Sequence, residues 1–302
     1  MTAQPNATPA ATWVAIDIAK RHHAVLIETP DGKQQQFRMA SSMEEHDRLV
    51  ALLRGLPQPA RIAMEPTGDC HRTLAFRLLT EGFDVCLVSS VAGARYREAM
   101  FNSWDKNDPK DARVILALLK QGMTLRYIDP LLAGHHGLQE LSKTHYQISL
   151  ARTRLQHSLM THYLPLYFPE IERYFDSAHA DWFARFMLRF PTAASIQQRD
   201  YETFRKEAWD LVGRKVNKAA WLRELYEIAL RSIGLPVADD SLEVQSFRLQ
   251  LQRFQELVQQ RDRLAEQAHQ TLSGRPDYES LRSIPGIGPV LALTILAEAG
   301  DL

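Results

Sequence analysis

Three aspartates crowd a short stretch that precedes an apolar run. The segment DKNDPKDARVI places Asp105, Asp108 and Asp111 at intervals of three residues. One explanation is structural, because Asp108 followed by Pro109 is a favourable helix start and carboxylates are stabilised in a first helical turn. The other is chemical, because carboxylates that converge on one cleft can bind a divalent cation. The choice depends on whether other acids reach the same place.

Two further acids lie in segments that have the pattern of buried strands. Asp17 interrupts the apolar run WVAIDIA, where an ionised carboxylate needs a cation or hydrogen bonds to offset its desolvation. Glu65 ends a second apolar run, RIAME. We predict that these two strands are neighbours at the centre of a sheet, which places the two carboxylates side by side. A helix that begins at Asp108 and packs on that sheet would bring Asp108 and Asp111 to face them.

Four carboxylates in one cleft repel each other unless divalent cations lie between them. Oxygen-only ligand sets suit Mg²⁺ or Mn²⁺. Two such ions ~3.5–4 Å apart activate the attacking oxygen and stabilise the leaving oxygen of a phosphodiester displacement. We interpret Asp105 as a solvated loop acid outside this set. The alternative, in which the four acids are separate helix caps and strand ends, stays open at this point.

The order of the predicted elements is typical of a ribonuclease H-like fold. Residues 13–40 have the pattern of three antiparallel strands, WVAIDIA, HAVLIET and QQQFRMA, with the turn PDG before the third. From about 42 to 130, helices alternate with the short strands RIAME and DVCLVS. An antiparallel meander followed by strand–helix alternation predicts an α/β domain whose mixed sheet is covered by helices.

Two heptad seams beyond about residue 130 indicate an all-α region. They belong either to core-packing helices of a bundle or to a paired coiled-coil arm or dimer seam, and we favour the arm or dimer seam. The charged residue Arg261 within the second seam argues against a fully apolar coiled-coil interface. The region then comprises arms at 131–175 and 239–275 and a helical insert at 176–238, and a flexible tail at 1–12 precedes the α/β domain. The first seam is Leu138, Leu141, His145, Ile148, Arg152, Leu155 and Leu159, and the second is Phe247, Leu251, Phe254, Val258, Arg261, Ala265, Ala268 and Leu272.

The overall charge neither favours nor excludes nucleic acid as a partner. The 302 residues carry 36 basic and 36 acidic side chains, so any basic footprint is local. The helical region contains two candidate basic segments, and the motif IPGIGP predicts a helix–turn–helix cradle whose backbone N–H groups bind a phosphate. A solvated helix face and a plain turn are the structural alternatives. The candidates are Arg152, Arg154, Arg214, Lys215, Lys218, Gly286 and Gly288.

The remaining composition places the chain among soluble intracellular proteins. Cys70 and Cys86 lack the spacing of a zinc ribbon, and two cysteines without that spacing are typical of a reducing cytosol. The start MTAQPNATPAAT has neither the basic nor the apolar region of a signal peptide. The sequence contains no uninterrupted run of ~18 apolar residues, which a membrane-spanning helix would need.

Four segments together resemble the DEDD transposases of the insertion-sequence-110 (IS110) family. VAIDIAKRHHAVLI, AMEPTG and KNDPKDA are similar, in order and spacing, to the D, E and D-x-x-D blocks of that family. Near the end, LRSIPGIGPVLALTILAEAGDL is similar to the opening of the family's second conserved region. The resemblance covers about 13–130 and 278–302.

The resemblance implies a RuvC-like domain at 13–130 and DNA recombination that moves a mobile element. It implies an oligomer, which we expect to be a dimer or tetramer joined through the arms. It also implies a structured noncoding bridge RNA that chooses the DNA sites in at least some members. We expect a bacterial cytoplasmic enzyme associated with the nucleoid. The residues carried over as metal-binding catalytic acids are Asp17, Glu65, Asp108 and Asp111.

The family also pairs its acids with a nucleophilic serine downstream of the PGIGP block. Ser280 and Ser283 precede that block, and the sequence ends at Leu302 soon after it. We therefore expect residues 276–302 to be the start of a shortened C-terminal transposase domain. A chain without that serine would form no covalent protein–DNA product by itself.

Two other functions stay open. A ribonuclease H-like structure-specific nuclease, such as a junction resolvase, would hydrolyse DNA with the same acids and without strand exchange. A catalytically silent nucleic-acid-binding scaffold would need none of them, so the acids argue against it. The long helical arms favour the recombinase over a minimal nuclease.

Overall fold

The computed structural model describes residues 11–101, 108–175, 180–212 and 217–299. The chain divides into two compact units, Met1–Ala133 and Gly134–Leu302, each with its own apolar cores. Both cysteines, in the first unit, are half-buried free thiols. None of the helices within these ranges combines the length and the apolarity that crossing a membrane requires.

The first unit is built on a six-stranded mixed sheet. Its spatial order is β3-β2-β1-β4-β5-β6. The pairs β1–β2, β2–β3 and β5–β6 are antiparallel, whereas β1–β4 and β4–β5 are parallel. The strands are β1 (Thr12–Asp17), β2 (His22–Glu28), β3 (Gln34–Ala40), β4 (Ala60–Glu65), β5 (Asp84–Leu87) and β6 (Leu125–Arg126).

This strand order confirms the predicted ribonuclease H-like α/β fold. The three-stranded meander forms one side of the sheet, and the parallel strands β1 and β4 are adjacent at its centre. Two details differ from the prediction made from the sequence. Thr12, assigned to the tail, pairs with Ala60 and accordingly belongs to β1. The two-residue edge strand β6 was missed, because two residues are too short to show a strand period.

Four helices cover the two faces of the sheet. The helices α1 and α2 pack on one face against Val14, Ile16, Ile62 and Met64. Helix α4 packs on the other face, where the strands present the small side chains of Ala15 and Ala63, so the helix approaches the sheet closely. The helices are α1 (Met43–Arg54), α2 (Arg72–Thr80), α3 (Ser90–Phe101) and α4 (Asp108–Lys120).

The second unit is helical throughout its described ranges, as predicted for the region beyond 130. Its main core is rich in aromatic rings, with Phe183, Phe186, Phe190 and Phe204 all essentially buried. Its helices are α5 (His136–Ser158), α6 (Leu164–Tyr167), α7 (Ala180–Arg189), α8 (Ala193–Gln197), α9 (Tyr201–Ala208), α10 (Lys218–Leu230), α11 (Leu242–Leu272), α12 (Pro276–Arg282) and α13 (Pro289–Ala299).

The two predicted seams pack against each other within this unit. Near one end, Leu138 shares a core with Ala268 and Leu272, and near the other end Leu155 shares a core with Phe254. Helix α5 continues through a π-helical turn, Leu159–Tyr163, into α6, and this helix ends at Phe168, so residues 131–175 do not form one continuous arm. Dimer or tetramer formation through these helices stays a prediction.

Two stacked histidines are buried between β2 and α1. His23 is fully buried and His46 is 9% exposed, and their ring centroids lie 6.1 Å apart. The backbone N–H of Ala19 donates to Nδ1 of His23 at 3.3 Å. The Nε2 atoms of both rings are buried and have no hydrogen-bond partner within the described part of the chain. Burial, together with the neighbouring His46, lowers the pKa of His23 to about 4. Burial also lowers the pKa of His46.

This pair predicts a loss of stability in mild acid. A histidine whose pKa is lower in the folded than in the unfolded state stabilises the protein above pH ~6.5, and this contribution is lost as the pH falls towards about 4. An asparagine at this position cannot become charged and keeps an acceptor for the N–H of Ala19. His23→Asn should therefore reduce the fall in the free energy of unfolding between pH 7 and 4.5 by on the order of 2 kcal/mol.

Urea unfolding of both proteins at the two pH values measures this difference. The control is His22→Asn, because His22 is exposed on the same strand. An identical pH dependence in wild type and His23→Asn would contradict the prediction.

Candidate metal and nucleic-acid sites

Asp17 and Glu65 occupy equivalent positions on the two central strands. They are in-register partners across the parallel pair β1–β4, at the last residue of each strand. Side chains alternate between the faces of a strand, so both carboxylates share the face of Ala15 and Ala63, on which α4 packs. Both residues are half-buried. The sequence prediction that these acids are neighbours is thus consistent with the strand register.

Helix α3 lies against the carboxylate of Glu65. Gly93 is buried in this helix, and a Cβ atom at Gly93 would lie 3.5 Å from Oε2 of Glu65. A methyl group there would be in ordinary van der Waals contact with the carboxylate. The backbone of α3 therefore covers part of the acidic face.

Asp111 lies in the first turns of α4 and is almost completely buried, with 1% of its surface exposed. The Nε–H of Arg97, one turn after Gly93 on α3, donates to its Oδ1 at 2.5 Å. The Arg97 side chain is itself only 12% exposed. The second oxygen, Oδ2, is buried without a hydrogen-bond partner among the described residues. Asp111 is therefore half-neutralised, with one acceptor left unused.

The structure thus places three of the four predicted acids in one region of the fold without completing a metal site. Asp108 begins α4, but its side chain and the whole of Asp105 lie outside the described residues. Among the side chains that the structure describes, no group of three or more His, Cys, Asp or Glu is arranged to hold a metal ion. The complete set of four acids stays a prediction.

The chemistry of these residues nevertheless fits a divalent cation. The candidate donors are all carboxylate oxygens, which Mg²⁺ and Mn²⁺ prefer. A buried carboxylate oxygen without a donor, such as Oδ2 of Asp111, costs free energy that a cation would recover. The sequence analysis did not predict the contact of Arg97 with Asp111, because this contact joins two helices and follows no local pattern.

The predicted nucleic-acid contacts have different environments. Arg154 is exposed on α5, whereas Arg152 is half-buried and donates from Nη2 to Oε1 of Gln156 at 3.1 Å. The ammonium of Lys218, at the start of α10, lies 4.8 Å from the centre of the Trp209 ring. Arg214 and Lys215 lie outside the described residues.

The glycine motif forms an exposed turn between α12 and α13. Gly286 has a φ of +91°, a conformation that other residues rarely adopt. No atom lies within 4 Å of a Cβ built at Gly286 or Gly288, so the turn leaves open space on both sides. The nearby hydroxyls of Ser280 and Ser283 donate to backbone carbonyls of their own segment, at 2.8 and 2.7 Å.

Comparisons with known proteins agree with the arrangement of the first unit. Residues 14–169, just over half of the chain, match the model of the IS110 DEDD family, described as transposase. The mini-circle putative transposase for IS117 of Streptomyces coelicolor is 27% identical over 308 residues, which cover 96% of this chain and 71% of that protein. The insertion element IS116 uncharacterized 44.8 kDa protein of Streptomyces clavuligerus is 24% identical over 295 residues, with the same coverage.

Solved structures add only a weak match. Thermus thermophilus RuvC in complex with a Holliday junction substrate shows a TM-score of 0.28 and 11% identity, covering 39% of this chain and 99% of RuvC. A TM-score of 0.28 does not support a fold assignment, so the assignment depends on the strand order of the first unit.

The ion pair between Arg97 and Asp111 predicts a specific stability loss. Arg97→Gln leaves a buried, uncompensated carboxylate, which should lower the free energy of unfolding by ~3–5 kcal/mol. Adding Asp111→Asn removes that charge as well, so the double variant should be more stable than Arg97→Gln alone. Urea unfolding of the two single variants and the double variant measures the coupling.

Arg95→Gln is the matched control, because Arg95 is an exposed arginine on the same helix. Arg95→Gln should change the free energy of unfolding by no more than about 0.5 kcal/mol. The assignment would be wrong if Arg97→Gln cost no more than Arg95→Gln.

Proposed function

Because this chain belongs to the IS110 family of DEDD transposases, we propose that it breaks and rejoins DNA strands to move an insertion element. The observation that carries the proposal is the in-register pairing of Asp17 and Glu65 at the ends of two adjacent parallel strands. Their carboxylates share the face on which α4 carries Asp111. Acids that share one face of the sheet support the proposal of a metal-dependent phosphodiester chemistry.

In this proposal the acids come from two kinds of element. Asp17 and Glu65 supply carboxylates from rigid central strands, and Asp108 and Asp111 supply them from the first turns of α4. Arg97 holds one oxygen of Asp111 and thereby orients the other. Mg²⁺ or Mn²⁺ bound by this set would activate an attacking oxygen and stabilise a leaving oxygen in a phosphodiester displacement.

Several finer features of the proposal rest on the family. We propose that DNA is the substrate, that a structured bridge RNA chooses the sites, and that α5 and α11 contribute to a dimer or tetramer. Arg154, Lys218 and the turn at Gly286 and Gly288 would contact phosphates. We assign the nucleophilic serine to neither Ser280 nor Ser283, because both hydroxyls are engaged with backbone carbonyls.

The proposal predicts that a divalent cation stabilises the protein. At a free Mn²⁺ concentration ~100 times the dissociation constant, the free energy of unfolding should rise by ~2.7 kcal/mol. Asp17→Asn should abolish this gain and should raise the stability of the metal-free protein, because removing one of several neighbouring acids relieves repulsion. Thermal unfolding with Mn²⁺, Mg²⁺ and chelator measures both effects.

The matched control is Glu44→Gln, which changes an exposed acid on α1, the helix that packs on the opposite face of the sheet. This variant should keep the full response to Mn²⁺. The proposed metal site fails if the melting temperature of the wild type is the same with and without millimolar metal.

The proposal also predicts salt-dependent binding of nucleic acid through the helical unit. Arg154→Gln combined with Lys218→Gln should reduce the slope of log affinity against log salt by ~0.9 for each phosphate that the variant no longer neutralises. Fluorescence anisotropy with a DNA duplex and with a structured RNA measures the slopes. An unchanged slope would place the footprint elsewhere, and a wild type that binds neither probe would contradict the proposed function.

A further inference from the structure

The packing between α5 and α11 is interrupted by a polar layer. The two ends of this helix pair are apolar, with Leu138 against Ala268 and Leu272 at one end and Leu155 in the core of Phe254 at the other. Between these ends three seam positions carry polar side chains, His145 and Arg152 on α5 and Arg261 on α11, and they alternate with apolar seam residues such as Ile148 and Val258. We name these three side chains the basic layer. A helix pair that needed only to pack would place apolar residues there.

Arg152 is the member of the basic layer with the fewest partners. It is half-buried, and its only hydrogen bond among the described residues runs from Nη2 to Oε1 of Gln156, at 3.1 Å. Its Nε–H is buried and has no acceptor in the ranges that the structure describes. Across the described part of the chain, no carboxylate forms an ion pair with it. A buried donor without an acceptor costs free energy, and a guanidinium without a counter-ion costs more.

The carboxylate beside the basic layer is already engaged. Asp262 accepts from Nε and Nη2 of Arg261, at 3.1 and 2.8 Å. The layer consequently carries two guanidinium groups against one carboxylate. Burial and the positive charge of Arg261 lower the pKa of Arg152, and the same two causes lower the pKa of His145. Arg261 is thus close enough to repel both Arg152 and His145 whenever they are charged.

Such a cluster needs an anion to offset its charge. We propose that the basic layer binds one phosphodiester group of a nucleic acid, held mainly by the guanidinium of Arg152. This inference rests on the proposed function, which supplies the nucleic acid. A guanidinium offers a planar set of donors that matches two phosphate oxygens, and among the described residues Arg152 uses only one of these donors, on Gln156. Arg261 adds positive charge, and His145 adds a ring N–H donor while neutral.

The first experiment tests the layer with inorganic phosphate. At constant ionic strength, replacing chloride by phosphate should raise the melting temperature of the wild type by about 3 °C. Arg152→Met keeps the apolar stem of the side chain but removes the guanidinium, so it should lose this shift. In chloride it should melt at or above the wild-type temperature, because it removes a repelling charge.

Two variants control this experiment. Arg263→Met changes an exposed arginine of α11 and should keep the full phosphate shift. Arg152→Lys keeps the positive charge without the planar donors and should show part of the rise in melting temperature with phosphate. If Arg152→Met retains the phosphate shift, or if the wild type shows none, the basic layer is not a phosphate site.

The second experiment tests whether the phosphate belongs to a nucleic acid. Against a DNA duplex and a structured RNA, Arg152→Met should weaken binding and lower the slope of log affinity against log salt by ~0.9. A phosphate shift together with unchanged nucleic-acid affinity and slope would mean that free phosphate, and not a phosphodiester, is the ligand, which overturns the inference. That result would leave the proposed function intact, because the wild type would still bind the probes.

Discussion

The acidic face of the first unit depends on one constraint, the register of β1 against β4. Because the pairing is parallel and matches Ile16 to Met64, it also matches Asp17 to Glu65 at the ends of the two strands. A shift of one residue would move one carboxylate to the opposite face, among the buried apolar side chains below α1 and α2. The buried side chains of both faces therefore fix the position of the acids. The small residues Ala15 and Ala63 then allow α4 to bring Asp111 to the same face.

Arg97 shows how the fold offsets part of the resulting negative charge. An arginine and an aspartate that are both almost fully buried stabilise the protein only as a pair, because either one alone would pay the full desolvation cost. The pair ties α3 to α4 and leaves Oδ2 of Asp111 without a donor. The basic layer of the second unit has the opposite sign, with an excess of positive charge between packed helices. The Arg97–Asp111 pair and the basic layer both contain buried charges that are only partly neutralised. This combination is typical of sites that bind an ion or a charged group.

Local patterns predicted much of the fold. Continuous apolar runs identified β1 and β4, and the meander followed by strand–helix alternation predicted that these strands would be adjacent. The unusual position of Asp17 within an apolar strand indicated that it needed a partner. The heptad seams predicted α5 and α11, and the polar residue noted in the second seam, Arg261, lies in the basic layer.

Contacts between distant elements could not be predicted in the same way. The pairing of Arg97 with Asp111 and the stacking of His23 on His46 depend on how helices pack, which periodicity does not encode. The seams left open whether α5 and α11 would contact each other or another chain, since a heptad repeat shows an apolar stripe but not its partner. The edge strand β6 was too short to show a strand period. For Asp108 the structure describes only the backbone position, at the start of α4.

The central claim is that the paired carboxylates of β1 and β4 form part of a metal site. The most direct measurement is the anomalous scattering of Mn²⁺ in crystals of the wild-type chain grown with millimolar MnCl₂. The account predicts an anomalous peak within about 2.0–2.4 Å of carboxylate oxygens from both Asp17 and Glu65. A map in which Mn²⁺ binds other residues while both carboxylates contact only protein atoms and water would contradict it.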